Sequence, residues 1–209
     1  MKATGLDILS PFYRFLADAL FRSEFKASNI FIASQKLSGD VLIVGCGDGQ
    51  IMSYLNTSFI QQLDLLDISE GMLRQAKKNN HFDSTKMRCI QSDYGTYSFQ
   101  KKYDVIIMPF FLDMLSAKAQ KKQLQKTMSG LNQEGLLIIS DLTKTNSRAH
   151  TLKIFLSRVF FSLLTLRVIP PVDSVRRSIE SVFPDAQRIE RSRGRIYMWE
   201  IKLQPTRNK

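Results

Sequence analysis

The sequence predicts a single α/β domain with a doubly wound, mostly parallel seven-stranded sheet and an antiparallel strand pair at its C-terminal end. Three observations favour this fold. Short β-branched and apolar runs alternate with helical patterns, these runs lack the polar alternation of a half-exposed sheet, and the last two predicted strands are close enough to form a hairpin. A chain of 209 residues, 44% of them hydrophobic, is long enough to bury one core.

Five predicted strands are short buried runs. They are VLIVG (41–45), LDLLD (63–67), MRCIQ (87–91), YDVIIM (103–108) and GLLIIS (135–140). Helices are predicted at 69–80, with Ser69 as the N-cap, and at 116–131, with Ser116 as the N-cap. Because parallel neighbours need crossover connections, this alternation predicts right-handed βαβ units.

Both ends of the chain add elements to this sheet. Residues 6–38 form an aromatic helical pattern, which we expect to pack across the carboxyl edge of the strands, where ligands of such folds bind. Near the C-terminus a helix is predicted at about 172–183. Two strands that meet at Gly194 then form an antiparallel hairpin.

The formal net charge of +11 comes from 30 Lys and Arg against 19 Asp and Glu. Such a surface attracts phosphate, nucleic acid or an anionic membrane face. The basic residues are scattered and no nucleic-acid recognition module accompanies them, so nucleic acid is not the favoured partner. No signal-peptide pattern and no uncharged span is found, which predicts a cytoplasmic protein, peripheral to a membrane if it contacts one.

The chain contains only two cysteines, Cys46 and Cys89, and two histidines, His81 and His150. Neither a CxxC nor an HxxxH spacing occurs among them. A disulfide framework is therefore not expected, and no metal site is predicted.

A glycine-rich loop follows the first buried strand and precedes the helical run QIMSYL. Three of the ten glycines lie in the pentapeptide Gly45-Cys46-Gly47-Asp48-Gly49. Glycines permit positive φ angles and let a ligand approach the backbone, and a helix N-terminus offers free N–H donors, so we expect a nucleotide-like ligand here. Gln50 breaks the GxGxxG pattern of dinucleotide sites, and the absence of GKS or GKT excludes a Walker loop.

Polar residues also follow the next two predicted strands. Asp67 ends the second strand, where an acid in such sheets accepts hydrogen bonds from ribose hydroxyls; the alternative is a solvated strand-end acid or a helix-capping residue. Ser92-Asp93-Tyr94 follows the third strand and offers an acceptor for an adenine amine and an aromatic wall. The spacing therefore predicts a site for an adenosyl group along the carboxyl edge.

On these motifs the sequence resembles the class I S-adenosylmethionine-dependent methyltransferases. VLIVGCGDG matches their glycine motif, LLDISEGML their ribose-binding strand end and first helical turn, and QSDY their adenine-contacting loop. YDVIIMPFFLDML and LNQEGLLIISDL match their fourth and fifth strands, so the resemblance covers about residues 35–142. The N-terminal LDILSPFYRFLADALF also resembles the segment before the sheet in the quinone-biosynthesis C-methyltransferase branch, with matches at Asp7 and Tyr13.

The resemblance implies S-adenosylmethionine as the cofactor. The cofactor contacts it implies are Gly45, Cys46, Gly47, Asp48, Gly49, Asp67, Ile68, Met72, Ser92, Asp93, Tyr94 and Met108. The family usually carries an acid two residues before the first glycine, where it holds the methionine ammonium, but this chain has Ile43 there. Asp48 or backbone carbonyls would replace that contact, because an ammonium needs only well-placed oxygens.

The single domain, residues 1–209, accordingly divides into four parts along the chain. These are an N-terminal helical cap (1–38), a cofactor-binding core (39–145), a lid-like apolar helix (146–170) and a last helix with the C-terminal hairpin (171–209).

The implied activity is methyl transfer to a small or lipid-like apolar acceptor. Two residues are candidates for catalysis: Tyr13, which either lines the site or packs helix against sheet, and His150, which either transfers a proton or caps a helix. Asp113 and Asp141 are further candidates with the same structural alternative. Two other functions remain open: an RNA or nucleotide methyltransferase drawn by the net charge, and a degenerate S-adenosylmethionine-binding regulator.

The apolar helix predicted at 149–169 carries two apolar stripes. One is expected to dock the helix on the sheet or its neighbours: Leu152, Phe155, Leu156, Val159, Leu163 and Leu166. The other lies on roughly the opposite side: Ile154, Phe161, Leu164 and Val168. This second stripe either packs under the aromatic N-terminal segment around Phe12, Phe15 and Phe21, or covers an apolar acceptor. A third alternative is an interfacial helix whose Lys153, Arg158 and Arg167 meet anionic lipid.

Overall fold

The computed structural model describes residues 7, 13–143, 145–165 and 173–203, with the side chains of 13, 14, 16, 17, 160, 161, 163–165 and 173 left out. The helices are α1 (Tyr13–Ser34), α2 (Glu70–Lys77), α3 (Ala117–Gly130), α4 (Arg148–Thr165) and α5 (Asp173–Val182). The strands are β1 (Gly39–Val44), β2 (Ile60–Asp67), β3 (Met87–Gln91), β4 (Tyr103–Pro109), β5 (Leu131–Leu142), β6 (Arg188–Arg191) and β7 (Ile196–Lys202).

All seven strands form one sheet in the order β3-β2-β1-β4-β5-β7-β6. Strands β1 to β5 pair in parallel, and β7 lies between β5 and β6, antiparallel to both. This arrangement confirms the predicted doubly wound sheet with its antiparallel C-terminal pair. The strand order changes direction at β1, so the crevice expected for a ligand opens at the carboxyl ends of β1 and β4.

The sheet is covered on both faces, as its continuous apolar strands require. Alternate residues of the central strands point to opposite sides: Ile43 and Leu65 belong to the hydrophobic cluster that includes residues of α1 and α2. Leu42 and Leu66 belong to the second cluster, with residues of α3 and α5. The two clusters hold the carboxyl ends of the strands in a fixed layer.

The predicted N-caps of two helices are confirmed. The Ser69 side chain accepts a hydrogen bond from the backbone N–H of Met72 at 3.1 Å, and α2 begins at the next residue. Ser116 accepts one from Ala119 N at 3.4 Å at the start of α3. Each serine satisfies a backbone donor that has no partner inside the first helical turn.

Two predictions of local structure need correction. The run QIMSYL forms only a short 3-10 helix, Gln50–Ser53, so no long helix presents its N-terminus to the loop. Strand β5 starts directly after α3, well before the predicted run 135–140, and includes Glu134 at a φ of 63°. Its pairing register with β4 shifts in this stretch, and the pattern of apolar residues does not extend into such an irregular segment.

Helix α4 packs against the protein with the face opposite to the one predicted to dock. Four residues of the stripe expected to dock on the sheet are 42% to 61% exposed: Leu152, Phe155, Leu156 and Val159. From the other stripe, Ile154 is buried against Phe21 of α1. The polar residues His150 and Ser157 are also buried on α4, where each hydrogen-bonds a backbone carbonyl, so satisfied polar groups accompany the docking face.

The remaining stripe residues lie outside the described side chains; they are Phe161, Leu163, Leu164, Leu166 and Val168. Phe12 and Arg167 also lie there. Within the described ranges, no helix is long and apolar enough to cross a membrane.

Candidate functional site

An open cleft lies at the carboxyl ends of β1 and β4, beneath α1. Its empty space is about 600 Å³ with open solvent included. The lining residues are Phe25, Asn29, Gly45, Cys46, Gly47, Asp48, Gln50, Ile51, Pro109 and Phe110.

The glycine loop has the backbone that its sequence predicts. Gly45, Gly47 and Gly49 have φ angles of 70°, 57° and 72°, which side-chain-bearing residues rarely adopt. A Cβ on Gly49 would lie 2.5 Å from the Met52 methyl and 3.2 Å from the Ala76 Cα atom, so glycine is also required for space. The loop is therefore closely packed below and open toward the cleft above.

Asp67 connects the end of β2 to this loop. Its Oδ2 atom accepts a hydrogen bond from Gly47 N at 2.9 Å, and Oδ1 accepts one from Ser69 N at 2.9 Å. Burial raises the pKa of Asp67, and these hydrogen bonds oppose that increase. Because a carboxylate has about four acceptor sites, the side chain retains capacity for ribose hydroxyls.

The N-terminal segment reaches the same corner through Asp7. Its Oδ1 atom accepts hydrogen bonds from Ser69 Oγ at 2.6 Å and from Gly71 N at 2.9 Å. The first turn of α2 is thus held by a carboxylate from outside the sheet, which complements the positive end of that helix.

Asp48 lies in the cleft wall, and Ile43 does not. Ile43 is fully buried in the middle of β1 and faces the core, so it offers no polar contact to a ligand. Asp48 Oδ1 accepts a hydrogen bond from Gln50 N at 3.2 Å, and the residue lines the cleft. Across from the loop, α1 contributes Asn29, whose side chain lines the same space.

The loop after β3 is more closed than the sequence suggests. Tyr94 is only 2% exposed, because its ring packs edge-to-face on Phe99 and Phe111 and its hydroxyl lies 2.8 Å from Thr127 Oγ1. Burial raises the pKa of the Tyr94 phenol. Asp93 Oδ1 accepts a hydrogen bond from Gly95 N at 2.7 Å. In this structure Tyr94 is thus a core residue and not an open aromatic wall.

Other predicted cofactor contacts are spread around the edge. Ile68 and Ser92 are half-buried and follow β2 and β3 directly. Met72 is buried on α2, and Met108 is fully buried inside the sheet, so neither borders the open part of the cleft. Their contacts with a cofactor stay predictions.

Sequence reasoning missed Phe25 and Asn29, which line one wall of the cleft together with Phe110. Phe110 follows β4 with a φ of 51°, an uncommon conformation for a bulky residue, and donates its backbone N–H to Ser140 O at 2.8 Å. Its ring centroid lies 4.6 Å from that of Phe25. The four-residue spacing of Phe25 and Asn29, which places both on one face of a helix, was the available signal.

The two candidate catalytic residues have different surroundings. Tyr13 begins α1, and its side chain lies outside the described atoms. His150 is buried: its Nε2 atom lies 3.0 Å from Thr143 O and its Nδ1 atom 3.8 Å from Glu24 Oε1. His150 therefore connects α4 to α1 away from the cleft lining, and its role as a base stays a prediction.

Comparison with known sequences identifies the central segment. Residues 41–135 match the family described as a methyltransferase domain. A segment of 78 residues is 37% identical to malonyl-(acyl-carrier protein) O-methyltransferase 1 of Ilyobacter polytropus; it spans 37% of this chain and 29% of that relative.

Solved structures share the fold at low sequence identity. One is an S-adenosylmethionine-dependent methyltransferase from Clostridium acetobutylicum, with a TM-score of 0.64 and 12% identity over 93% of this chain and 98% of that one. Another is the N-methyltransferase NodS from Bradyrhizobium japonicum in complex with S-adenosylhomocysteine, with a TM-score of 0.61 and 12% identity over 87% and 86%. These matches support the class I fold and not the quinone-biosynthesis branch.

Proposed function

We propose that this chain, whose core is that of an S-adenosylmethionine-dependent methyltransferase, transfers a methyl group to a small, lipid-like apolar acceptor. The observation that carries the proposal is the hydrogen bond between Gly47 N and Asp67 Oδ2 beside an open cleft. It joins the glycine loop to the acid that would bind the ribose.

S-adenosylmethionine fits the groups that surround this cleft. The positive φ angles of Gly45 and Gly47 let a ligand approach the backbone, and Asp67 has acceptor capacity for two hydroxyls. Asp48 and Asn29 line the cleft, and we assign to them the methionine ammonium, in place of the acid that Ile43 replaces. When bound, the cofactor supplies a methyl group on a sulfonium centre.

The chain's own contribution to transfer is alignment and exclusion of water. Phe25 and Phe110 form an apolar wall on the β4 side of the cleft. Such a wall favours an apolar acceptor over a charged one, because burying a charge without a partner is costly.

The exposed face of α4 favours the interpretation that the acceptor comes from a membrane. We define this outer face as Leu152, Phe155, Leu156 and Val159, which are all exposed. Arg148 and Lys153 lie beside it and are also exposed, and the sequence between Asp141 and Asp173 contains no Asp or Glu. An apolar helix face with basic neighbours suits the interface of an anionic membrane. Arg158, by contrast, points inward.

Calorimetry with S-adenosylmethionine and adenosine tests the cofactor site. We expect Asp48→Asn to weaken S-adenosylmethionine about tenfold and to leave adenosine unchanged, because adenosine lacks the ammonium group. Equal weakening of both ligands would assign Asp48 a structural role in the turn. No binding of S-adenosylmethionine to the parent protein would overturn the proposed function.

Labelled methyl transfer into lipid extracts and into malonyl-acyl carrier protein tests the acceptor. Label in the lipid fraction is expected. Label confined to the carrier protein, the acceptor type named for the Ilyobacter relative, would replace the lipid-like acceptor.

Sedimentation with vesicles of phosphatidylglycerol and phosphatidylcholine tests the outer face. Phe155→Asp should weaken binding at least fivefold, and added salt should weaken binding of the parent. Phe59→Asp is the matched control, because Phe59 is an exposed phenylalanine in the loop before β2. Equal loss in both variants would contradict a specific role for α4.

A further inference from the structure

A cluster of charged side chains lies at the carboxyl ends of β4 and β5 and is used by none of the contacts above. Asp113 belongs to the 3-10 helix Leu112–Met114, Asp141 is the penultimate residue of β5, and Arg158 reaches in from α4. We call these three residues the charged cluster. Burial raises the pKa of Asp113 to about 6, and the nearby Arg158 opposes that increase.

Both carboxylate oxygens of Asp141 accept hydrogen bonds from the backbone. Its Oδ1 atom accepts a hydrogen bond from Leu142 N at 2.8 Å, and Oδ2 accepts one from Asp113 N at 3.2 Å. Asp141 is therefore a positioning residue, because it fixes the short helix on which Asp113 lies.

Asp113 and Arg158 each have a polar atom without a partner. Among the described residues, neither Asp113 Oδ1 nor Arg158 Nη2 makes a hydrogen bond, and both atoms are shielded from solvent. Buried polar groups in native proteins are nearly always satisfied, and an unsatisfied charged group is especially costly. Each of these two atoms therefore requires a polar partner that the described residues do not provide.

Along the chain, the charged cluster follows residues that line the cleft proposed for the cofactor. Pro109 and Phe110 line that cleft, and the same connection continues into Asp113. Phe110 N donates to Ser140 O, and Ser140 directly precedes Asp141. A molecule held by the charged cluster would therefore lie at the β4–β5 side of the cleft, under α4.

We propose that Asp113 and Arg158 bind a hydroxyl group on the otherwise apolar acceptor. The hydroxyl donates to Asp113 Oδ1 and accepts from Arg158 Nη2, and a hydroxyl can do both at once. A carboxylate has no proton for Asp113, and an ammonium has no lone pair for Arg158. The inference rests on the proposed function, because it assigns the neighbouring cleft to the cofactor.

Two probes with the same tail test the hydroxyl. The protein is saturated with S-adenosylhomocysteine and titrated with 4-nonylphenol or with its methyl ether, 4-nonylanisole. Both probes accept a hydrogen bond, but only the phenol donates one. We expect the parent protein to bind the phenol about tenfold more tightly than the ether.

Substitutions of Asp113 and of Arg158 should change the affinities for the two probes in different ways. Asp113→Asn should reduce the preference for the phenol to less than threefold, because an amide can accept from the phenol or donate to the ether. Arg158→Met should weaken both probes, because both accept from the guanidinium. Lys153→Met is the matched control on the same helix, since Lys153 is exposed, and it should change neither affinity.

The outcomes separate this inference from the proposed function. If S-adenosylhomocysteine binds and the phenol and the ether bind equally to the parent protein, the hydroxyl site is wrong and the cofactor site stands. If Asp113→Asn changes the unfolding temperature but leaves the phenol preference intact, the charged cluster is structural and the inference is overturned. Failure of S-adenosylhomocysteine to bind would instead contradict the proposed function.

Discussion

The carboxylate of Asp67 lies 2.9 Å from the amide nitrogen of Gly47, so the acid at the end of β2 holds the loop at the end of β1. The same side chain accepts Ser69 N at the start of α2. One buried carboxylate therefore sets the relative position of two elements on which a nucleoside would rest. The strand-end alternatives considered for Asp67, ribose binding and helix capping, are compatible because a carboxylate has acceptors for both.

Asp67→Ala should weaken S-adenosylhomocysteine roughly tenfold to a hundredfold, which corresponds to about 1.5–3 kcal/mol. The loss combines missing acceptors for the ribose with a loosened loop. Calorimetry measures it. Asp104→Asn is the control, because Asp104 also accepts a backbone N–H, from Asp40 at 2.8 Å, but at the amino end of β1. Unchanged affinity of Asp67→Ala would place the ribose elsewhere.

Gly49→Ala should destabilise the protein by about 3 kcal/mol and weaken cofactor binding. The φ of 72° alone costs about 1–2 kcal/mol for alanine, and the contacts of the new Cβ with Met52 and Ala76 add strain. Urea unfolding measures the free energy.

Gly194→Ala is the matched control for Gly49→Ala. Gly194 has a φ of 74°, but among the described residues a Cβ there would meet only Glu190 Oε2, at 3.8 Å. This variant should therefore show the backbone cost alone and bind the cofactor normally. Equal destabilisation of the two variants would contradict close packing beneath the loop.

His150→Ala should lower the unfolding temperature by about 4–8 °C, because it removes the contacts of a buried side chain with its partners on α1 and before α4. These partners are Thr143 O and Glu24, and Glu24 also accepts hydrogen bonds from Ser23 and Arg195. Lys153→Ala, an exposed site on α4, is the control. A large loss of methyl transfer without a change in unfolding temperature would favour His150 as the base.

The regular part of the fold was accessible from sequence because buried strands and capped helices are encoded locally. The run predicted at 87–91 coincides with β3, and Ser69 and Ser116 cap the helices assigned to them. Each of these depends on neighbouring residues in the chain.

The rest depends on contacts between distant segments. Helix α4 carries apolar residues on two sides, so its hydropathy pattern cannot specify which side faces inward. The contacts of His150 and Ile154 with buried partners determine the orientation of the helix. Tyr94 was expected to contact a ligand because it follows a strand end. Its ring is instead buried in the core, where its hydroxyl has Thr127 of α3 as a hydrogen-bond partner. The left-handed backbone of Phe110 has no local sequence signature at all.

The charged cluster makes stability depend on pH in a direction opposite to that of a carboxylate with a lowered pKa. Burial raises the pKa of Asp113 to about 6 in the folded protein, above the 3.8 of an unperturbed aspartic acid. The folded state therefore binds more protons than the unfolded state between these values, so stability falls as the pH rises. Burial and the neighbouring Asp113 also raise the pKa of Asp141, so the two carboxyls titrate as a pair and both make stability fall as the pH rises from 5 to 8.

Asp113→Asn should reduce this decline, because the amide does not titrate, while Asp141 and Arg158 stay in place. Urea unfolding at pH 5, 6, 7 and 8 measures the slope for the parent and the variant. Asp83→Asn is the control: hydrogen bonds from Thr85 lower the pKa of this exposed carboxyl, so it is ionised throughout the range and should leave the slope unchanged. Identical slopes for the parent and Asp113→Asn would assign the pH dependence to Asp141 and would contradict a raised pKa of Asp113.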